Sequence, residues 1–405
     1  MDVDLIRKID YLIGVPACFV LSFVRRILGC NPKQVDALEI QRVAVFQISE
    51  MGSAISAYGA IDYLKQRYDR SAVYYVIFEK NKDVIGLMSQ MPESQILTIR
   101  EDSVFHFVAD TLGVIFRLRS LRLDAAVDFE LFSRFSAILS YLSGAKKRSG
   151  FDKFKMEGLY RGNLLTHKVI YNTYVHISVN FLSLVKALEE PVENSPHSKQ
   201  QFDAELVELP VITSSVDERN KMAAKLRKKC PDLDETKRIV LINPNASELL
   251  PLRRWPLEHY IELIRMLLSH FDVTVVIIGL LSEVDEAESI CSAVGHEGCI
   301  NFAGETSLNE LIVLMNMASV LVSNDSGPPN FASLTTVKTL VFFGPETPKL
   351  YKPLGKYVEV MYAGLACSPC VSAYNHRKST CQDNQCLKMI QPSEVFEVVQ
   401  RMLDQ

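Results

Sequence analysis

The sequence predicts an α/β fold built from two doubly wound domains, and three observations support that class. Short apolar runs of strand length alternate with helical patterns in both halves of the chain. The 405 residues are more than one ordinary hydrophobic core accommodates. The segment 189–204 is polar, contains two prolines and lies between the two alternating regions, as is typical of a linker or a long loop.

The composition excludes several classes of protein. Hydrophobic residues make up 48% of the chain and charged residues 23%, which is close to a globular average and excludes wholesale disorder. The formal net charge of −4 gives no global electrostatic reason to bind nucleic acid. A two-domain soluble protein remains, and we expect an enzyme.

An uncharged stretch near the N-terminus, residues 11–24, has basic residues on both sides. As a helix it rises about 21 Å, less than the roughly 30 Å hydrocarbon core of a bilayer. Gly14 and Pro16 also interrupt it. We therefore expect residues 1–35 to form a membrane-associating segment that rests on the interface, although packing on the first domain is an alternative that is compatible with it. The flanking cations are Arg7, Lys8, Arg25 and Arg26.

The first domain is expected over residues 36–205 and contains four strand candidates. The first, 43–48, is followed by a short turn with Gly52 and then by a helical pattern, which is how an α/β unit begins. Repetition of this alternation favours a parallel sheet with helices on both faces. The other strand candidates are 72–78, 95–99 and 125–128.

The second domain is expected over residues 206–405, where the alternation starts again. Helical patterns at 256–270 and 307–318 separate its strand candidates. In doubly wound sheets, ligands bind where the carboxyl ends of the strands converge. The strand candidates are 239–242, 273–278, 320–323 and 339–343.

Small polar and charged residues follow three of these strands. Backbone amides of small residues at a strand-to-helix turn favour anions such as pyrophosphate, and Ser326 and Gly327 suit that task. Arginine beside such a loop neutralises phosphate, and a carboxylate after a strand, such as Glu283, accepts hydrogen bonds from ribose hydroxyls. The candidate set from these clusters is Asn245, Ser247, Arg253, Arg254, Gly279, Glu283, Asp325, Ser326 and Gly327.

Each of these motifs has a structural alternative when it is taken alone. The Ser-Gly-Pro-Pro segment is compatible with a plain turn, Asp325 with a helix N-cap, and Arg253 and Arg254 with a solvated surface pair. Their order along one half of the chain favours the functional interpretation.

Together these motifs resemble glycosyltransferase family 9, which includes the heptosyltransferases of lipopolysaccharide assembly. The similar segments in the second half include NPNAS followed by RRWPLEHY, IIGLLSE, NFAGETSLNELIVLM, VSNDSGP and FFGPETP. In the first half they include ISEMGSAISAYGAI and DFELFSRFSAILSYL. The resemblance spans roughly residues 1–400. It implies a GT-B architecture, in which two Rossmann-like domains face a central cleft, the first for the acceptor and the second for a nucleotide sugar.

The resemblance also implies a mechanism and a role for each candidate. The transfer would be inverting and would need no metal or other catalytic cofactor. Asp325, Ser326 and Gly327 would line the phosphates and sugar of the donor. Arg253 or Arg254 would meet phosphate, and Glu283 would hold the ribose.

Two positions depart from the family motif. Where the family has a general-base aspartate after the glycine of the first loop, Gly52 is followed by Ser53; where it commonly has histidine, this chain has Asn330. Asparagine carries no charge, and serine does not replace a carboxylate as a base without help. We expect Glu50, the only carboxylate on that loop, to be the base, although an acid at a helix start also has a structural explanation. The reserve candidates are His176 and Asp128.

A basic stretch lies in the first domain. Residues 146–168 contain seven lysines or arginines and two carboxylates. As a surface it would attract a phosphorylated glycolipid or an anionic leaflet. A solvated loop is the alternative.

Four cysteines lie within twenty residues near the end of the chain, with spacing C-x2-C-x10-C-x4-C. Four thiolates at this spacing can form a tetrahedral site for zinc or iron, whose role would be structural because no ligand position stays open. Free thiols and two disulfides are the alternatives, and a cytoplasmic location disfavours disulfides. The four are Cys367, Cys370, Cys381 and Cys386.

Residues and resemblance together predict a cytoplasmic glycosyltransferase, peripheral at the inner face of the cell membrane. It would move a sugar, with heptose from ADP-heptose favoured, to a lipopolysaccharide-type or other saccharide acceptor. The expected partners are the nucleotide-sugar donor, a saccharide or glycolipid acceptor and the cytoplasmic membrane surface, without nucleic acid. Two alternatives are a sugar-nucleotide epimerase of the same architecture and, given Ser53 and Asn330, a non-catalytic sugar-nucleotide-binding subunit.

Overall fold

The chain divides into two compact units, one over residues 1–208 and the other over residues 209–372 and 377–405. Each contains one six-stranded sheet with helices, so both halves are doubly wound α/β domains, as the sequence predicts. The computed structural model describes residues 3–28, 32–48, 51–88, 91–154, 158–199, 201, 208–231, 237–246, 250–373 and 377–404.

The sheet of the first unit is parallel and has the strand order β3-β2-β1-β4-β5-β6. Its strands are β1 Val43–Phe46, β2 Val73–Phe78, β3 Ile96–Ile99, β4 Ala125–Asp128, β5 Lys147–Phe151 and β6 His167–Val169. All four residues of β1 are buried, which explains their continuous apolar pattern. The strand order reverses between β1 and β4, so the crevice at their carboxyl ends is the topological switch point of this sheet.

Nine α-helices belong to this unit among the described residues. Ser103 and Ser133 each accept a hydrogen bond from a backbone amide in the first turn of the helix that follows them. The helices are α1 Val3–Leu12, α2 Gly14–Leu28, α3 Pro32–Asp36, α4 Met51–Ser56, α5 Tyr58–Arg67, α6 Lys82–Leu87, α7 Val104–Leu121, α8 Arg134–Leu142 and α9 Ile177–Ala187.

The sheet of the second unit is also parallel, with the order β12-β11-β10-β7-β8-β9. Counted from its own first strand, this is the same order as in the first unit. Its strands are β7 Arg238–Asn243, β8 Val273–Ile277, β9 Cys299–Asn301, β10 Ala318–Asn324, β11 Lys338–Phe343 and β12 Val358–Tyr362. The switch point lies between β7 and β10.

Helices of the second unit begin where the sequence provides caps. Ser215 and Ser307 each precede a helix and form capping boxes with Glu218 and Glu310 in its first turn. The core includes Trp255, whose ring packs on Tyr260 and Phe342. The helices are α10 Val216–Lys229, α11 Leu257–His270, α12 Val284–Val294, α13 Leu308–Met317, α14 Gly327–Ala332, α15 Pro348–Tyr351, α16 Gln385–Lys388 and α17 Pro392–Asp404.

The prediction that residues 146–168 form a charged surface or a solvated loop is wrong for three of its cations. Lys147 and Arg148 lie in β5 and are buried, as is Arg161. The Arg148 guanidinium donates to the Leu164 carbonyl over 2.6 Å, and that of Arg161 donates to the Phe151 carbonyl over 2.7 Å. These cations remain buried because backbone carbonyls satisfy their donors.

The N-terminal helices pack on the first domain and still expose apolar side chains. Asp10 of α1 accepts hydrogen bonds from the backbone amide of Arg134 over 2.8 Å and from its guanidinium over 2.7 Å. Close packing needs Gly14, because a Cβ there would lie 3.0 Å from the Arg134 side chain. Within the described residues, the 21-residue stretch Lys8–Leu28 has the length and composition of a membrane-crossing helix, longer than the fourteen residues that its charge pattern indicated.

Candidate active site

The polar residues that follow β7 and β10 meet at the switch point of the second sheet. Asn243 ends β7, and its Nδ2 donates to Ser323 Oγ and to Ser326 Oγ, each 2.9 Å away. Asn324 ends β10, and its Nδ2 donates to the Pro244 carbonyl over 2.6 Å. These hydrogen bonds hold together the loops that follow β7 and β10. Ligands of doubly wound sheets bind at this position.

An ion pair joins the same two loops. Arg253 Nη1 lies 3.4 Å from Asp325 Oδ2, and the two side chains are 15% and 12% exposed. Asp325 is not a helix cap, since Ser326 occupies the N-cap position of α14. The predicted pair of solvated arginines is therefore not observed, and Arg253 holds a carboxylate at the end of β10.

Arg254 has a different partner, which sequence analysis missed. Its Nη1 lies 3.2 Å from Glu286 Oε2 on α12, and both side chains are about 30% exposed. The Nε atoms of Arg253 and Arg254 and Glu286 Oε1 are buried, with no hydrogen-bond partner among the described residues. Such unused polar atoms are unusual in a core and are expected where a ligand supplies the partner.

Glu283 lies beside Asn245 after β8. Its Oε2 accepts a hydrogen bond from the Leu280 amide over 2.7 Å. Burial raises the pKa of Glu283, whereas the Leu280 amide, the Arg254 charge and the Asn245 side chain oppose that rise. Gly279 leaves room for this arrangement, because a Cβ there would lie 2.8 Å from Glu283 Oε2 and 3.2 Å from Asn245 Nδ2. Asn245 Oδ1 is buried without a partner among the described residues.

Three remaining donor candidates lie at or near α14. Gly327 begins this six-residue helix. Asn330 Nδ2 donates to the Ser326 carbonyl over 3.0 Å, so the amide at the family's usual histidine position stabilises the turn. Ser247 lies outside the described residues.

At the switch point of the first sheet, Ser53 occupies the position where the family motif has aspartate. Gly52 and Ser53 lie in the first turn of α4. Gln47 Nε2 donates to Ser53 Oγ over 2.9 Å, and the Tyr75 hydroxyl donates to Gln47 Oε1. The predicted base, Glu50, lies outside the described residues, so its role stays a prediction.

Two buried carboxyl groups lie at the end of β4, at the same switch point. Asp128 Oδ2 accepts from the Ser136 hydroxyl over 3.0 Å, and Oδ1 accepts from the Glu130 amide over 3.1 Å. Burial raises the pKa of Asp128 to about 7, although the Arg161 charge opposes the rise. Glu130 Oε1 accepts from the Ile48 amide over 2.6 Å, which places a second carboxylate beside the end of β1. Sequence analysis missed Glu130, although an acid two residues beyond Asp128, just after a strand, was a usable signal.

His176, the other reserve base, has a structural role. It is the N-cap of α9 and its ring accepts a hydrogen bond from the Ser178 amide over 3.2 Å. That contact satisfies an otherwise unpaired amide of the first helical turn.

The four clustered cysteines do not form the predicted metal site. Cys367 and Cys381 are exposed, Cys370 is half-buried and Cys386 is buried, and all four are free thiols. Burial raises the pKa of Cys386 to about 11, with a further rise from the other three, so the fold brings the thiols near one another. Among the described residues, however, no group of three or more His, Cys, Asp or Glu is placed to hold a metal ion. The cluster as it stands does not fit zinc or iron.

A polar cavity of about 850 Å³ lies at the opposite, amino edge of the first sheet. Its lining carries both signs of charge, including Arg42, Lys147, Arg67 and Glu189, and the last two pair at 3.1 Å. It is remote from the carboxyl ends of the strands and is not part of the candidate active site.

Two Rossmann-like domains of identical strand order, with polar residues gathered at their switch points, define a protein of the GT-B class. The chain belongs to glycosyltransferase family 9 (heptosyltransferase), because the model of that family matches residues 115–380. The family and the fold class expected from the sequence are confirmed.

Individual relatives agree with this assignment. The chain is 32% identical to lipooligosaccharide heptosyltransferase 2 of Haemophilus influenzae over 27% of its own length and 32% of the relative. It is 22% identical to lipooligosaccharide heptosyltransferase 2 of Haemophilus ducreyi over 79% of its length and 88% of the relative. The structure of E. coli ADP-heptose LPS heptosyltransferase II shares the fold, with a TM-score of 0.66 and 20% identity over 90% of this chain and 98% of that one. The chain spans about a third of the first curated relatives it matches.

Proposed function

We propose that the protein transfers heptose from ADP-heptose to a saccharide acceptor of the lipopolysaccharide type, with inversion at the transferred carbon. The observation that carries the proposal is the polar cluster at the β7–β10 switch point in a chain of glycosyltransferase family 9. The donor and acceptor are supported by the names of its relatives, which include an ADP-heptose LPS heptosyltransferase and lipooligosaccharide heptosyltransferases.

The second domain supplies the groups that a nucleotide sugar needs. The unused Nε donors of Arg253 and Arg254 suit a diphosphate, since guanidinium groups bind phosphate oxygens with charge-assisted hydrogen bonds. Glu283 is placed after β8, where it would accept from the ribose hydroxyls. Asn245 Oδ1 has free acceptor capacity beside it.

The reaction consists of one substitution. A carboxylate takes the proton of the acceptor hydroxyl while that oxygen attacks the anomeric carbon and forms the new glycosidic bond. The bond from this carbon to the diphosphate oxygen breaks, and the nucleoside diphosphate leaves with the electron pair. The arginines would stabilise the charge that develops on the leaving group, and no catalytic cofactor is required.

The base is a carboxylate of the first domain. Glu50 is the candidate on the loop where the family carries its aspartate. Glu130 is a second candidate, because it lies at the same switch point and binds the Ile48 amide. Ser53 accepts a hydrogen bond from Gln47, which does not make it a base.

The acceptor would be a glycolipid at the cytoplasmic face of the inner membrane. The exposed apolar side chains of α1 and α2 support a peripheral attachment there. A single such element gives only reversible binding, which suits an enzyme that must release its product.

The test is a panel of nucleotide sugars, including ADP-heptose, ADP-glucose and UDP-glucose, offered to the purified protein with extracted glycolipid. We expect ADP-heptose alone to raise the melting temperature and to yield a glycolipid heavier by one heptose in mass spectrometry. A ligand at 100 times its dissociation constant adds about 2.7 kcal/mol of stability. Release of an altered free sugar would favour an epimerase, and stabilisation without any product would favour a non-catalytic subunit.

A further inference from the structure

Helix α7 presents apolar side chains to solvent as well as to the core. Its buried face, which includes Val114 and Leu118, packs in the core of the first domain. Five large apolar residues on another face are exposed, and at about 100° per residue they fall within a sector of about 120°. They are Val104, Phe105, Val108, Leu112 and Phe116, with Phe105 78% and Phe116 71% exposed. A contiguous stripe of this kind marks an interaction surface.

Helices α1 and α2 expose a comparable apolar face. The exposed residues include aromatic and long aliphatic side chains, and residues 14–28 contain no Asp or Glu. Among these exposed residues are Tyr11, Leu12, Ile13, Phe19, Phe23 and Ile27.

The α1–α2 pair and α7 are both neighbours of α8. The ring of Phe135 in α8 lies 5.0 Å from the ring of Phe107 in α7. The backbone amide of Phe135 donates to Asp10 of α1 over 3.2 Å. One residue thus contacts both elements at the start of α8. Because α7 and α8 follow β3 and β4, this junction lies at the carboxyl edge of the sheet.

The charged residues around these two apolar faces indicate the kind of partner. Exposed cations lie near the apolar residues: Arg26 in the last turn of α2 and Arg119 in the last turn of α7. The single acid within α7, Asp110, pairs with Arg100 at 2.8 Å. The exposed carboxylate just before α7, Asp102, contacts His106 at 2.9 Å. Aromatic and aliphatic side chains with arginine in the last turn of both helices match the interface of an anionic bilayer leaflet.

We propose that α7 and the α1–α2 pair form one lipid-contacting surface that rests on an anionic leaflet. The first domain then contacts the membrane through two distant parts of the chain, and its carboxyl edge lies next to the lipid. The role of this surface in catalysis rests on the proposed function, because a membrane glycolipid acceptor would enter the first domain at its carboxyl edge.

The first test uses tryptophan as a depth probe in the full-length protein. Phe116→Trp places an indole on α7, and Val216→Trp places one on α10 of the second domain as a matched control at an exposed apolar position. The native Trp255 is buried and serves as an internal reference. With phosphatidylcholine–phosphatidylglycerol vesicles that carry brominated acyl chains, we expect quenching at position 116 and none at position 216. Vesicle-bound protein without quenching at position 116 would overturn the proposal.

The second test removes the surface. Leu112→Glu with Phe116→Glu introduces charges at exposed positions, so circular dichroism should remain unchanged. We expect vesicle partitioning to fall on the order of tenfold or more, because two apolar groups no longer enter the interface, and Val216→Glu to leave it unchanged. Unchanged partitioning of the double variant, or no binding of the wild type to anionic vesicles, would overturn the proposal. So would a change only in lipid-free self-association, which indicates a second copy of the chain as the partner.

Vesicle binding and sugar transfer are separate readouts. Transfer to a water-soluble saccharide acceptor should be equal for the wild type and the double variant. A wild type that binds vesicles but transfers no sugar would overturn the proposed function and leave the lipid surface standing.

Discussion

Arg253 and Asp325, which are 72 positions apart in the sequence, form a nearly buried ion pair of 3.4 Å between the loops that follow β7 and β10. We predict that Asp325→Ala reduces sugar transfer by about 10²–10³-fold, because a positioning and electrostatic contact at the donor is lost. Steady-state kinetics with the accepted donor would measure it.

The control for this variant is an exposed ion pair of the same domain, Arg401 with Glu359. Glu359→Ala should cost at most about 1 kcal/mol of unfolding free energy and leave transfer unchanged. Wild-type kinetics for Asp325→Ala with every donor would show that the donor site lies elsewhere.

Glu50→Gln should keep donor binding and lose transfer by about 10²–10⁴-fold, as expected when a general base is removed. Glu130→Gln is the matched variant, since its amide oxygen can still accept the Ile48 hydrogen bond while it no longer takes a proton. Pre-steady-state rates of both variants across pH would identify the base. Full activity of both variants would exclude these two carboxylates as the base. If one variant is inactive and adding Ser53→Asp restores its transfer, a carboxylate at position 53, where the family has aspartate, still reaches the acceptor.

Gly279→Ala should raise the donor KM by about 10–100-fold with a smaller effect on kcat. The new Cβ would lie 2.8 Å from Glu283 Oε2, so the carboxylate must move away from the position proposed for ribose binding. Gly86→Ala is the control and should leave the KM unchanged, because outside its own helix backbone and chain neighbours no atom lies within 4 Å of the added Cβ, and alanine favours the helix by about 1 kcal/mol. An unchanged KM for Gly279→Ala would argue against a ribose contact by Glu283.

Asp128 should make the first domain less stable as pH rises from about 4 to about 7. Its pKa of about 7 lies above the roughly 3.9 of an aspartate in an unfolded chain, so the folded state holds the proton more tightly. The free energy of unfolding therefore falls as pH rises between these two values, and the loss is complete above pH 7. Asp128→Asn does not titrate, and it keeps both contacts if its Oδ1 accepts from the Glu130 amide and its Nδ2 donates to the Ser136 hydroxyl. Urea unfolding at pH 5 and pH 8 should therefore show the variant gaining stability relative to the wild type at the higher pH. A pH-independent difference would mean that Asp128 is ionised throughout.

The cysteine cluster should react as four reduced thiols in a fixed order. Cys367 and Cys381 are exposed and should be alkylated first, whereas Cys386 is buried with a pKa of about 11 and should be last. Mass spectrometry after timed native alkylation would give the order. If all four thiols resisted alkylation and the protein contained one zinc or iron ion per chain, the metal site predicted from the cysteine spacing would be supported after all.

Most of the fold is predictable because the inner residues of β1, β4 and β7 are buried on both faces and therefore form continuous apolar runs. β5 is different, since it starts with Lys147 and Arg148. Their burial depends on carbonyls of Leu188 and Leu164, which come 41 and 16 residues later, and no local pattern indicates such partners.

The candidate site likewise has a part that the sequence predicts and a part that it does not. Positions directly after strands, such as Asp325, are predictable because the carboxyl ends of parallel strands share one edge. Their partners are not, because the pairs of Arg253 with Asp325 and of Arg254 with Glu286 depend on the crossover geometry. The role of Asn330 is not predictable either, because its side-chain amide binds the Ser326 carbonyl.

The packing of α1 and α2 has a consequence for the time course of synthesis. Their contact residues on α8 begin at Arg134, which the ribosome adds 106 residues after Leu28. At about 5–20 residues per second, the apolar helices precede their protein partner by roughly 5–20 s. A nascent chain would therefore meet a nearby lipid surface, or a chaperone, before its own domain is complete, and ribosomes translating this chain are expected to be enriched at the membrane.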